Sequence, residues 1–202
     1  MPAAAANCVR PLAPRDATAC ARLHREGIAT GFLSSLGLPF LRELYRAIPA
    51  CPMGFGHVWA EGGRSVVGFV ACAERTGRLY KQALLRRGPF LLLAASRLLV
   101  RPGAVRRMAQ TLRYPAALPP DLPGSEVLSI AVAPQARGRG VGRALIRAAL
   151  AQFAARGCAA ARVAVWDRNE AANAFYRRCG FTLAHTRMHH GRGMNLYVRA
   201  TG

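Results

Sequence analysis

Lysine is almost absent from this 202-residue chain, Lys81 being the only one. Acidic residues are scarce as well, 9 Asp+Glu against 29 Lys+Arg, for a formal net charge of +20. The basic charge is therefore carried by arginine, whose planar donor fork suits phosphate and carboxylate groups. Such a field concentrates anionic ligands near the surface. The many alanines point equally to an Ala- and Arg-rich composition with no specific partner. A Walker A loop ends in Gly-Lys-Ser/Thr, and Lys81 is far from any glycine run, so that phosphate loop is excluded. The six cysteines, Cys8, Cys20, Cys51, Cys72, Cys158 and Cys179, contain no CxxC pair. Their spacing argues against a disulfide framework and for a reducing, cytoplasmic compartment. No apolar run reaches the roughly 20 residues of a membrane span. The strongest, residues 90–100, is interrupted by Arg97 and ends before Pro102. The opening MPAAAANCVR lacks an apolar segment after a basic one, so it does not read as a secretory signal.

What is present is 52% hydrophobic, enough for one full core in a chain of this length. Residues 7–12 read as a strand, and Asp16 as the cap of a helix over 17–28. Residues 32–44 read as two helical pieces broken at Gly37 and Pro39, followed by a stiff link at Pro49 and Pro52. Strands over 57–61 and 65–73 flank Gly62-Gly63, a pair suited to a tight hairpin. Residues 75–118 break the rhythm. Leucines recur there at helical spacing among arginines, which predicts a basic amphipathic insertion of two or three helices split at Gly88-Pro89 and Pro102-Gly103. After a proline-rich connector come a strand at 127–132, a helix at 141–156, a strand at 161–166, a helix at 170–178, and strands at 181–186 and 194–198. This order predicts a single α/β (α+β layered) domain, a mixed central sheet flanked by helices.

The strand at 127–132 and the following helix are joined by Gly138, Gly140 and Gly142 alternating with Arg137, Arg139, Val141 and Arg143. Glycines let a ligand touch backbone amides with no Cβ in the way. The first turn of a helix has unpaired N–H groups and a partial positive charge, which together attract phosphate. A phosphate-bearing cofactor at this seam is therefore expected. It is not a dinucleotide in a Rossmann unit. The spacing is GxGxG rather than GxGxxG, the motif falls late in the chain, and no acidic residue lies between Glu126 and Asp167.

The stretch "LSIAVAPQARGRGVGRAL" resembles the acetyl-CoA-binding signature of the GNAT superfamily of N-acetyltransferases, its Q/R-x-x-G-x-G/A core matched by Arg137, Gly140 and Gly142. A second family block appears as "NEAANAFYRRCGF", residues 169–181, in the right order and separated from the first by a helix and a strand. The resemblance covers residues 126–198, the cofactor core, and implies a GNAT-like fold that transfers acetyl directly to a primary amine. It implies that backbone groups of Ile130, Ala131 and Val132 pair with the pantetheine arm. Amides from Arg137 to Gly142 (Arg137, Gly138, Arg139, Gly140, Val141, Gly142) would hold the pyrophosphate, supplemented by the arginines, Arg143 included.

Tyr176 matches the family tyrosine near the CoA sulfur and is the expected general acid, with its neighbour Phe175 filling the core. Asn169 is expected to cap the helix carrying Tyr176 and to contact the cofactor arm. Glu126, at the start of the central strand, stands where many family members carry a carboxylate that deprotonates the amine. His24 and Glu26 are alternatives for acceptor contacts, read otherwise as surface residues. His185, His189 and His190 lack a helical HExxH, so no metal is expected. Cys179 reads as a buried small hydrophobe. The expected acceptor is a small-molecule amine, an amino sugar or amino acid, because a field of +20 opposes polycations. A protein N-terminus is the alternative acceptor. Non-enzymatic nucleic-acid binding lacks any recognisable module. The apolar stripe of the insertion is expected to pack on the domain or across a homodimer rather than on a membrane surface.

Overall fold

Gly62 and Gly63 take positive φ angles of 56° and 71°, and the chain reverses there between two of its longest strands. In the computed structural model, which describes residues 8–28, 32–63, 65–99, 103–113, 119–189 and 191–202, seven strands form one sheet. They are β1 (Cys8–Pro11), β2 (Gly54–Glu61), β3 (Ser65–Ala73), β4 (Glu126–Val132), β5 (Ala160–Trp166), β6 (Thr182–His189) and β7 (Arg192–Ala200). The order is β1-β2-β3-β4-β5-β7-β6, antiparallel except between β4 and β5. The helices are α1 (Ala17–Gly27), α2 (Phe32–Ser35), α3 (Gly37–Ala50), α4 (Thr76–Leu99), α5 (Ala104–Arg113), α6 (Val141–Ala155) and α7 (Glu170–Arg178).

Two neighbours on β3 show how the layers sit. Phe69 packs edge-on against Tyr45 of α3, ring centroids 4.9 Å apart. A Cβ added at Gly68 would come within 3.0 Å of Val141 and 3.2 Å of Leu145 on α6. Successive strand residues point to opposite faces, so α3 and α6 cover opposite sides of the sheet. The stripe of α6 formed by Val141, Leu145, Ala149 and Phe153 is fully buried there, with Phe153 edge-on to Phe55 of β2 at 4.7 Å. On the other face α1 reaches β4, where Gly27 lies against Ala131.

The proline-based expectations need correction. The break at Gly37 is real (φ 85°), but Pro39 lies in the first turn of α3, where its missing N–H has no partner to lose. Pro49, expected in a link, lies in the last turn of α3, near the helix end. The expected split at Gly88-Pro89 is absent, and α4 runs through both residues. Pro89 removes one bond, to the carbonyl of Leu85. The helix continues through it, with Leu85 on an exposed face. Asn7, Arg101, Pro102 and Leu118, which fall within the predicted first strand, insertion and connector, lie outside the described residues. No helix among the described residues is long and apolar enough to cross a membrane. The apolar stripe of α4 is only partly covered. Leu79, Ala83 and Leu91 are buried, while Leu84, Leu85, Phe90 and Leu93 are exposed.

Candidate active site

Strand β4 pairs with β5 at only two positions, Glu126 with Arg162 and Val127 with Val163. Beyond them the strands part. Ile130, Ala131 and Val132 continue along β3 opposite Val70, Phe69 and Gly68, while Val165 and Trp166 continue along β7 opposite Asn195 and Met194. The β5-facing edge of Ile130 to Val132 thus has no strand partner among the described residues, and an extended ligand could complete it. The register of β4 on β3 also shifts, from Ala71 opposite Ser129 to Cys72 opposite Val127. That leaves Leu128 as an extra residue. The bulge lets Leu128 and Ser129 line the same cavity, which strict alternation would forbid.

Pro134–Ala136 makes one 3-10 turn after β4, and the glycine turn leads into α6. Gly138 and Gly140 have φ of 74° and 80°, the left-handed region that other residues rarely enter. Gly140 caps α6 without a side chain, and the first turn starts at Val141. The N–H groups of Val141, Gly142 and Arg143 therefore have no acceptor within the helix. Gly142 serves a different need. A Cβ there would lie 3.2 Å from the Phe175 ring, so glycine is what lets α7 approach α6.

The arginines of the seam do not act alike. Arg137 turns back to the end of β4, its Nε donating to Val132 O at 3.2 Å. Arg139, expected beside the cofactor phosphates, instead forms an ion pair at 2.8 Å with Glu61 of β2. A nearby carboxylate competes for that guanidinium, and the pair ties the seam to the β2–β3 hairpin. Arg143 is exposed on the first turn of α6.

On α7, Asn169 Oδ1 accepts the Ala172 N–H at 3.1 Å, the cap expected of it. The more connected residue is Asn173, which nothing in the sequence singled out. It is 3% exposed, and its amide donates to Trp166 O, Asp167 O and Asn169 O. Its oxygen accepts from Asn195 Nδ2 and the Tyr197 hydroxyl, so one side chain joins α7 to β5 and β7. The division of labour expected of the two aromatics is reversed. Tyr176 is 5% exposed between Phe175 (5.2 Å) and Phe181 (5.5 Å), and Phe175 is the less buried ring, lying over Gly142. Burial raises the Tyr176 phenol above its ordinary pKa, with smaller contributions from Cys72 and Cys179.

Glu126 is neither exposed nor a lone carboxylate. It is 4% exposed, and its Oε2 receives hydrogen bonds from Thr76 Oγ1 and Arg162 NH2, both at 2.6 Å. Arg162, 2% exposed, also donates to Pro123 O and to Thr76 Oγ1. Oε2 is thus engaged by a hydroxyl and a cation, and Glu126 also lines the cavity beside β4. An arginine inside the apolar run of β5 was the signal for this pair, since a buried cation demands an anion.

His24 is also misplaced by the surface reading. It is 3% exposed, its Nδ1 lies 2.5 Å from the Tyr45 hydroxyl, and that hydroxyl lies 2.9 Å from Ser129 Oγ. Burial lowers its pKa to about 4, so the ring is neutral at neutral pH. Glu26 is exposed. His24, Tyr45, Glu126 and Ser129 all line a cavity of about 220 Å³ between β4 and helices α1, α3, α4 and α5. Its other walls are mostly apolar, among them Phe40, Leu44, Ile48, Leu79, Leu91 and Met108, with Tyr80 and Thr111 the exceptions.

Two of the three C-terminal histidines go to separate partners. His185 Nε2 is 2.9 Å from Asp121, His189 stacks on Trp166 at 6.2 Å, and His190 lies outside the described residues. Among the described residues no three potential ligands gather into a metal site. Cys179 is buried and its thiol is raised by burial, against the influence of nearby arginines.

The acetyltransferase (GNAT) family profile matches residues 26–181. No curated protein matches. Solved structures that share the fold include SsHAT, with a TM-score of 0.68 at 24% identity, covering 98% of this chain and 99% of that one. A GNAT-family protein from Desulfovibrio desulfuricans gives 0.63 at 17%, covering 98% and 100%. Arabidopsis thaliana NAA60, solved in complex with acetyl-CoA, gives 0.61 at 16%, covering 96% and 98%. With more than half its length inside the family profile, and with β4 and β5 parting beside a glycine turn, the chain belongs to the GNAT family of acetyltransferases.

Proposed function

We propose that the protein transfers acetyl from acetyl-CoA directly to the primary amine of a small molecule. The observation that carries this reading is the unpaired β4 edge running into the glycine turn and the first turn of α6. An extended arm fits beside Ile130, Ala131 and Val132, and a pyrophosphate fits the amides of the turn, with Arg137 and Arg143 adding charge. Asn169 adds a contact to the arm beside its capping role. Tyr176, buried though it is, is assigned as the acid for the departing sulfur on its place in the family block at 169–181. Glu126 holds the closed end of the parting strands through Arg162. Acetyl-CoA supplies the activated acyl group, and the protein aligns the amine with it.

Titration calorimetry with acetyl-CoA tests the cofactor half of this reading. Micromolar binding, about −8 kcal/mol, is expected, and a folded sample that binds none refutes it. Gly140→Asp is expected to weaken binding by roughly 2 kcal/mol, about thirtyfold, by placing a negative charge at the helix N-terminus. No atom lies within 4 Å of the added Cβ, and Asp tolerates positive φ better than most residues. The variant should therefore fold, and an affinity unchanged in it would move the phosphates elsewhere.

The acceptor half is tested by thiol release across a panel of amines and peptides. Spermidine is expected to be a poor acceptor, because a net charge of +20 opposes its approach. Preferred turnover of spermidine, or of peptide N-termini alone, would refute the acceptor assignment.

A further inference from the structure

The cavity beside β4 contains features that acetyl transfer alone does not require. At about 220 Å³ it is larger than the roughly 150 Å³ apolar cavity that takes up benzene in an engineered protein. Its walls come mainly from α3 and from the inserted helices α4 and α5, and they are almost wholly hydrocarbon. Its polar lining is Ser129, Glu126, Tyr45 and His24, with Tyr80 and Thr111 on the inserted helices, and Ser129 stands on the strand whose far edge is unpaired. Ser129 continues through Tyr45 to His24. His24 is 3% exposed, and its Nε2 has no hydrogen-bond partner among the described residues.

We propose that this chamber takes the hydrocarbon body of the acceptor, an arylalkyl or alkyl primary amine, with the Ser129–Tyr45–His24 line hydrogen-bonding its nitrogen. The inference rests on the acetyltransferase reading and narrows its acceptor. The Ser129–Tyr45–His24 line gives an amine nitrogen a hydrogen-bond partner, which a hydrocarbon acyl chain on the donor would leave unused. The apolar walls add a chemical effect. Desolvation disfavours an ammonium ion, and the carboxylate in the lining, Glu126, is paired with Arg162, so the chamber that binds the hydrocarbon also favours the unprotonated, nucleophilic amine. On attack the nitrogen forms a bond to the thioester carbon and the carbon–sulfur bond breaks. The thiolate leaves with the electron pair, and the nitrogen gives up a proton to the hydrogen-bonded line or to solvent.

The experiment compares phenethylamine, glucosamine and an alanine-ended peptide as acceptors, read as free thiol, in the intact protein and in Ala83→Leu. Ala83 is in the chamber wall at 6% exposure, and leucine replaces its methyl with an isobutyl group without penalising the helix. Phenethylamine is expected to give the highest kcat/KM. Ala83→Leu should raise its KM by about tenfold and leave acetyl-CoA affinity by calorimetry unchanged. Ser129→Ala, a smaller and safer change, should also lower kcat/KM for phenethylamine while acetyl-CoA still binds. Preference for glucosamine or the peptide, with KM indifferent to Ala83→Leu, overturns the inference and leaves acetyl transfer standing. So does a variant whose only loss is hexanoyl-CoA turnover, which would make the chamber an acyl pocket. Failure of acetyl-CoA to bind or turn over with any amine overturns the acetyltransferase reading and this inference together.

Discussion

Arg162→Met is expected to destabilise the protein by about 3–5 kcal/mol in urea unfolding, among the largest effects a single substitution can have here. The two charges sit directly opposite each other in the β4–β5 ladder, 2% and 4% exposed, with 2.6 Å between Arg162 NH2 and Glu126 Oε2. Removing the cation leaves a buried carboxylate with Thr76 as its remaining partner in this triad. The loss also spreads along the chain. Thr76 opens α4 and Pro123 lies just before β4, so Arg162 ties both ends of the inserted helices to β5. The double variant Arg162→Met/Glu126→Leu should recover most of the stability, because hydrocarbon of similar volume often replaces a buried pair at no net loss. A cost below about 1 kcal/mol for the single variant would mean that the pair is solvated, contrary to its burial.

That pair also shows where sequence reading stops. The glycine seam was legible because its signal is local. Positive-φ residues, a helix start and a strand end all fall within a few positions of one another. The same holds for the Gly62-Gly63 hairpin, and for α7 with its Asn169 cap. Glu126 and Arg162 are 36 positions apart, and Tyr45 and Ser129 are 84 apart. Their meeting depends on strand register and helix placement, which no spacing rule encodes. The bulge at Leu128 is a further case, since it overrides the period-two pattern by which inward and outward residues are assigned. Pro89 misled for another reason. Proline disfavours a helix interior without forbidding it, and the packing of α4 that carries the helix through Pro89 is set by residues far away in the chain.

Tyr176→Phe is expected to lower turnover roughly a hundredfold while leaving acetyl-CoA affinity and stability nearly unchanged. The substitution is conservative for the core, since phenylalanine keeps the edge-on contacts with Phe175 and Phe181 and only the hydroxyl is lost. Burial raises the pKa of that hydroxyl above 10, so the phenol holds its proton throughout the neutral range. It can act as a donor to the departing sulfur and cannot serve as the base. The raised pKa also limits the gain, because a donor far weaker than the thiol it protonates stabilises the leaving thiolate by hydrogen bonding more than by full transfer. The expected loss is therefore at the low end for general acid catalysis. Two measurements separate this from a structural role. Single-turnover rates should fall with the KM for acetyl-CoA unmoved. The pH profile of kcat should show no ionisation of Tyr176 below about pH 10 in the native enzyme. An unchanged single-turnover rate removes the phenol from the chemistry, and a thermal midpoint lowered along with the rate would make Tyr176 a core residue whose loss disturbs α7.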